Sequence, residues 1–347
     1  MINIRISNEV FRFLETIGGK YKQRGGGIIT FKNADEETVL EYLGTYFVRS
    51  KVVSYLVFNN LIENTDYTEI IKNKKELKIL DIGSGVAPEI FGMIKAFINN
   101  KFNYENFKFY LIDSNPIMKK YFFKYKYYFD IKNNTSTNST YLLYDFTSEE
   151  KFSNRLKNLM ESLKEKFDII LCFNMINEFY RTGNKEENYR IFTEEMVKYL
   201  NKDGVIFLTD VCDKNNDGRF FPIIMNQELK KFYRNNKNYT TLLPVQCNLN
   251  HHNCVNNNGD CFTQINFQII RDFGFGSMIY DSFKTNYKII LEKETALKLI
   301  NKKVSDNSKF LAAETSSGFN ICKNGKIEKC NELIKNTKEG YFWSLYV

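Results

Sequence analysis

Four of the seven cysteines are spaced as ligands of a single metal centre could be. Cys247, Cys254 and Cys261 are separated by two equal gaps of six residues, and Cys322 follows about sixty residues on. Structural zinc usually takes paired cysteines two to four residues apart, which keeps a tetrahedral site tight. Gaps of six suit a looser loop around a larger object, so the spacing leans to an iron–sulfur cluster, with zinc as the alternative. His251 and His252, the only histidines, sit in the same loop and could replace a cysteine or bond to one. Cys330 competes with Cys322 for the fourth position.

A second constellation lies upstream, at the ends of short apolar runs. Ile79-Leu80-Asp81-Ile82-Gly83-Ser84-Gly85 reads as a strand closing on an acid and a glycine turn, where the backbone can approach a ligand. The next run ends in Ile112-Asp113-Ser114, and an acid there can take both hydroxyls of a ribose. A third ends in Tyr144-Asp145-Phe146, where the carboxylate can accept from an adenine amino group and the ring can lie against the base. Taken singly, Asp113 and Asp145 could be helix N-caps. Three signals in order at three strand ends point instead to an adenosine site. A dehydrogenase fingerprint would need a third glycine where Pro88 stands, which argues against a nicotinamide cofactor.

The fourth run ends in Cys172-Phe173-Asn174-Met175-Ile176-Asn177-Glu178. Asn174, Asn177 and Glu178 are candidates to orient a reacting amine or hydroxyl, with Glu178 as the start of the next helix equally open. Cys212, in Thr209-Asp210-Val211-Cys212, could act as a nucleophile, but a buried packing thiol is the commoner role.

The elements that must carry these residues alternate strand and helix. Strands are expected at 77–82, 107–112, 141–144, 167–173 and 205–209, with helices at 89–98, 149–165 and 188–200. That alternation predicts an α/β fold, a doubly wound parallel Rossmann-like sheet with right-handed crossovers. Residues 1–75 read as a helical N-terminal region and 76–213 as the nucleotide-binding core. Residues 214–295 hold a basic helix (228–239), the cysteine loop and two last strands near 277–283 and 286–292. Residues 296–347 read as a small strand-rich appendage carrying Cys322.

The chain of 347 residues carries 49 lysines and arginines against 41 acids, a net charge of +8, which is compatible with a polyanionic partner. No apolar run reaches the roughly eighteen residues of a membrane span. The start, MINIRISNEVFRF, lacks the apolar core of a leader, so a cytoplasmic protein with reduced thiols is expected.

The strand-end series resembles the class I S-adenosylmethionine-dependent methyltransferases, with Ala87 where that class usually has its third glycine. The layout is further similar to the ribosomal small-subunit methyltransferase-like family. Pro244, Cys247, Cys254, Cys261 and Phe262 match its cysteine loop, and Cys322 before Asn324-Gly325 matches its distal ligand. The match extends to Tyr42–Leu56 with Arg49, to Asp113-Ser114 with Met118, and to Tyr280–Leu291. Phe262 stands where the family often has histidine. The resemblance implies S-adenosylmethionine bound by Asp81, Gly83, Gly85, Asp113, Asp145 and Phe146. It also implies a [4Fe–4S] cluster on the four cysteines, and the small ribosomal subunit or its rRNA as partner. A non-catalytic assembly factor that keeps the donor pocket is the alternative, as is a zinc-bearing methyltransferase of small molecules or proteins.

Overall fold

Apolar residues occupy both faces of the central sheet, which is why its inner strands read as near-continuous apolar runs. The computed structural model describes residues 2–6, 8–22, 34–102, 107–146, 150–183, 186–243, 264–272 and 278–299. Among these, nine strands form one sheet. They are β1 (Ile2–Arg5), β2 (Leu77–Ile82), β3 (Phe107–Asp113), β4 (Asn138–Leu143), β5 (Phe167–Phe173), β6 (Leu200–Val211), β7 (Tyr239–Leu243), β8 (Gln264–Asp272) and β9 (Met278–Glu292). The order is β1-β8-β9-β6-β5-β2-β3-β4, with β7 also paired to β9. Strands β2 to β6 are mutually parallel, and β9 runs antiparallel to β6, β7 and β8.

Side chains alternate across this sheet with the period of two that a pleated strand imposes. Ile79, Phe109, Ile169 and Phe207 face one apolar layer, under helices 36–45, 47–64, 88–99 and 116–133. Leu80, Ile112, Ile170 and Leu208 face the other, under helices 152–163, 188–196 and 221–235. Gly92 lets two helices of the first layer touch. A Cβ there would lie 2.2 Å from the Lys51 carbonyl oxygen, and nearby the Ser54 hydroxyl donates to the Glu89 carbonyl at 2.6 Å. The helices of residues 36–64 thus share the core of the sheet they precede.

The expected alternation is present from β2 to β6, and the differences lie at the two ends of the chain. The region expected to be helical also contributes β1, which pairs parallel with β8. The two strands expected near 277–283 and 286–292 are one strand, β9, because no glycine or proline interrupts it and β6, β7 and β8 all pair along its length. The basic helix begins earlier than expected, at Phe221, with Pro222 in its first turn, and ends at Asn235. The strand β7 then follows. The cysteine loop and residues 300–347 of the expected strand-rich appendage lie outside the described residues, and its first residues, 296–299, belong to the helix Lys293–Leu299.

Candidate active site

From β2 the chain steps to β3 and β4 on one side, and from β5 to β6 on the other. Neighbouring connections that leave in opposite directions open a crevice at the carboxyl ends of their strands. A cleft lies at this switch point, and Gly83, Gly85, Asp113, Asp145, Phe146, Asn174 and Glu178 all line it. Asp81 does not line the cleft and is buried beneath the glycine turn.

Gly83 and Gly85 hold φ angles of 74° and 53°. A Cβ on Gly83 would fall 2.7 Å from the Met175 side chain, so glycine is required there for its backbone and for that contact. Ala87 takes φ 52°, and Pro88 opens the following helix. A left-handed alanine costs about 1–2 kcal/mol, while proline at a first helical turn gives up no helical hydrogen bond.

The Asp113 carboxylate accepts from the Gly85 N–H and the Asn115 N–H, both at 2.9 Å. It therefore links the glycine turn to the next strand end. The helix cap is Asn115, whose side chain accepts from the Ile117 N–H at 2.8 Å. Asp145 is no cap either, since the next helix has Lys151 at that position. Helix capping explains neither acid. The Tyr141 hydroxyl donates to the Gly85 carbonyl at 2.6 Å, and Phe146 stands edge-on to Tyr144, their centroids 5.1 Å apart.

On the other side, Asn174 holds φ 56°, and its buried side-chain oxygen has no hydrogen-bond partner among the described residues. Asn177 donates its side-chain amide to the Asn174 carbonyl and to the Asp210 carboxylate, each at 2.7 Å. Asp210 is fully buried and accepts three more bonds. These come from the Asn177 N–H at 3.1 Å, the Tyr189 hydroxyl at 2.7 Å and the Val211 N–H at 2.7 Å. Burial still pushes its pKa up to about 6. Sequence reasoning passed over Asp210, although an acid closing a fifth strand repeats the pattern of Asp81 and Asp113. Cys212, three residues beyond Thr209, does not line the cleft.

Glu178 sits in the helix Ile176–Arg181 and lines the cleft. Its pKa is pushed up to about 8, chiefly by burial and then by Asp113 and Asp210, with Arg181 opposing. Under the glycine turn, neither Asp81 oxygen has a hydrogen-bond partner among the described residues. Burial raises Asp81 and Glu89 well above the usual carboxylate range, Asp113 raises Asp81 further, and Asp81 raises Glu89. Asp113 is itself raised by burial. Tyr42, Tyr46 and Arg49 reach the cleft from the amino-terminal helices. The Arg49 guanidinium lies 4.9 Å from the Phe283 ring centroid and donates to the Lys284 carbonyl at 3.4 Å. At the sequence level, Tyr42 and Arg49 entered only through the family resemblance.

Among the described residues no group of three His, Cys, Asp or Glu could hold a metal ion. Cys247, Cys254, Cys261, Cys322 and Cys330, with His251 and His252, lie outside them. No helix among the described residues is long and apolar enough to cross a membrane.

Fold and cleft together define a Rossmann-like α/β domain with its ligand crevice at the switch point. No family model matches the chain, and no curated protein sequence matches it. Solved structures to which it bears a loose similarity include the plantazolicin methyltransferase BpumL in complex with S-adenosylhomocysteine. That pair is 12% identical over 61% of this chain and 74% of the other, with a TM-score of 0.38. The O-methyltransferase TomG from Streptomyces achromogenes, in complex with S-adenosylmethionine, is 10% identical over 71% and 79%, with a TM-score of 0.33. Coclaurine N-methyltransferase, bound to N-methylheliamine and S-adenosylhomocysteine, is 15% identical over 60% and 45%, with a TM-score of 0.27. These are loose likenesses of fold, and none bears on substrate.

Proposed function

We propose that the chain is an S-adenosylmethionine-dependent methyltransferase whose donor site is the cleft between β2 and β5. The observation that carries this is the charge around the glycine turn. Glu89, Asp113 and Glu178 line the cleft there and Asp81 is buried beneath the turn, and burial raises the pKa of each. Acids in that state are relieved by a cation and strained further by an anion. A sulfonium with an ammonium group suits such a site, whereas a dinucleotide pyrophosphate would add charge of the wrong sign.

Gly83 and Gly85 would let the backbone approach the methionine part, Asp113 would take the ribose hydroxyls, and Asp145 with Phe146 would hold the adenine. Asp81 would act from beneath, as a buried counter-charge. When bound, S-adenosylmethionine supplies an electrophilic methyl group. Transfer would form the bond from the acceptor's lone pair to the methyl carbon as the S–C bond breaks, and would leave S-adenosylhomocysteine. Glu178 in its ionised form would take the acceptor's proton, and where the acceptor is an amine the Asn174 side-chain oxygen would accept from its second N–H and orient it.

We further infer that the acceptor is RNA of the small ribosomal subunit, and that Cys247, Cys254, Cys261 and Cys322 hold a [4Fe–4S] cluster. Support for both comes from the cysteine spacing, the family resemblance and the net charge of +8. Calorimetric titration with S-adenosylmethionine tests the donor site. Binding by the wild type that weakens at least tenfold in Asp113→Ala is expected, and a wild type that does not bind rules the reading out. Methyl transfer to isolated small subunits tests the acceptor. Equal rescue of subunit assembly by wild type and Asp113→Ala, with transfer by neither, would favour an assembly factor. After anaerobic purification, a brown protein with four irons fits the cluster, and a colourless one with zinc defeats it.

A further inference from the structure

The helix Pro116–Asn133 leaves the cleft and carries a face that the donor site does not use. Asn115 caps it directly after Asp113 and Ser114, and Met118 still lines the cleft. Its inner side is buried through Tyr121, Phe122, Tyr125 and Phe129. On the outer side Phe123, Tyr127 and Ile131 are 44%, 72% and 64% exposed. These are three of only five large apolar residues so exposed among the described residues, and four-residue spacing puts them on one face. A fourth, Leu143, ends the neighbouring edge strand β4.

Lysines share that face. The helix carries Lys119, Lys120, Lys124, Lys126 and Lys132 against a single acid, Asp130. Lys120, Lys126 and Lys132 pair with Glu36, Asp130 and Glu9. Lys119 and Lys124 lie over the rings of Tyr141 and Tyr121, at 5.9 Å and 4.7 Å, and Lys124 also adds to the pull of Lys120 that lowers the Glu36 pKa. Aromatic rings interleaved with lysines along one line suit an unpaired polynucleotide, whose bases stack on any ring and whose phosphates meet the ammonium groups. Residues 300–347 of the chain are a poor occupant by charge, with eight lysines against five acids.

We propose that this face is a docking strip for single-stranded RNA, with bases on Phe123 and Tyr127 and phosphates at Lys119, Lys120 and Lys124. A strand laid along the helix toward its amino end arrives at Met118 and the cleft. The choice of RNA over DNA rests on the RNA-acceptor reading given above. The strip itself rests on the exposed rings and the charge.

The test is fluorescence anisotropy of a short labelled oligouridine with the full chain. Tyr127→Ala is expected to weaken binding about tenfold, the scale of one base–ring stack. Replacing Lys119 and Lys124 together by glutamine is expected to flatten the slope of log affinity against log salt by about 1.4. Because these side chains are outward-facing, circular dichroism and S-adenosylmethionine titration should be unchanged in both variants. Intact donor binding with lost RNA binding therefore separates this proposal from the donor site. A wild type that does not bind RNA overturns the proposal, as do variants that bind like it. So does a Tyr127→Ala variant whose only loss is in self-association or in binding phosphatidylserine vesicles.

Discussion

The two sides of the cleft are assembled in different ways. On the side proposed for the methyl donor, Gly83, Gly85, Asp113 and Asp145 each lie within three residues of a strand end, and the Asp113 carboxylate holds backbone groups of two adjacent turns. On the side proposed for the acceptor, Asn174 and Asn177 are set by Asp210 and Tyr189, groups brought in from another strand and another helix. The first side is a set of local turns, and losing one group there affects ligand more than fold. The second is a buried network, and losing its centre strands several donors at once. The sides meet where Met175 packs on Gly83.

Breaking the network should give the largest effect. Asp210→Ala leaves the Asn177 amide, the Tyr189 hydroxyl and two N–H groups without their acceptor, and each buried unsatisfied group costs about 1–3 kcal/mol. A loss of roughly 3 kcal/mol or more is expected in urea unfolding, and a midpoint like the wild type would show that the network carries no stability. Gly83→Ala should come next and act on the ligand. Its methyl must displace Met175 and occupy a left-handed backbone, so S-adenosylmethionine affinity should fall at least tenfold by calorimetry.

A smaller effect should follow pH. The Glu178 carboxyl, with a folded pKa of about 8, is neutral at pH 6 and ionised at pH 9. Only the charged form favours the cationic donor over its neutral-sulfur product. The affinity ratio of S-adenosylmethionine to S-adenosylhomocysteine should therefore rise several-fold from pH 6 to 9, and Glu178→Gln should flatten it. The same raised pKa has the opposite sign for stability. The folded state holds the proton more tightly than the unfolded one, so this contribution is full below about pH 4.5 and is lost as pH rises to about 8. A ratio that rises equally in Glu178→Gln would assign the titration elsewhere. Ala87→Gly should do least. Relief of about 1–2 kcal/mol of left-handed strain is offset by the chain entropy of glycine and the loss of a buried methyl. Unfolding free energy should stay within about 1 kcal/mol of the wild type, and a larger shift would mean that this departure from a third glycine is costly.

Legibility follows the same division. Strands β2, β3, β5 and β6 could be read because both of their faces are buried, which writes apolar runs into the chain. The order of the acids at their ends was readable for the same reason. Strand β1 was not, because four residues carry too little pattern and its partner β8 lies more than 250 residues away. Asp210 was missed because an acid inside an apolar run has no local meaning until its partners are placed. Asn177 and Tyr189 lie 33 and 21 residues from it in sequence.

What the sequence determined by itself is the alternating α/β core and the series of glycines and acids that a nucleoside-like ligand would meet. Those features are written in periodicity and in residues beside strand ends, where the chemistry is local. Tertiary structure alone decided that Asp81 lies under the cleft wall, that Asp210 ties Asn177 to Tyr189, and that Phe123, Tyr127 and Ile131 remain on the surface. Each of these depends on which groups are removed from water, and desolvation is set only when distant segments close over one another.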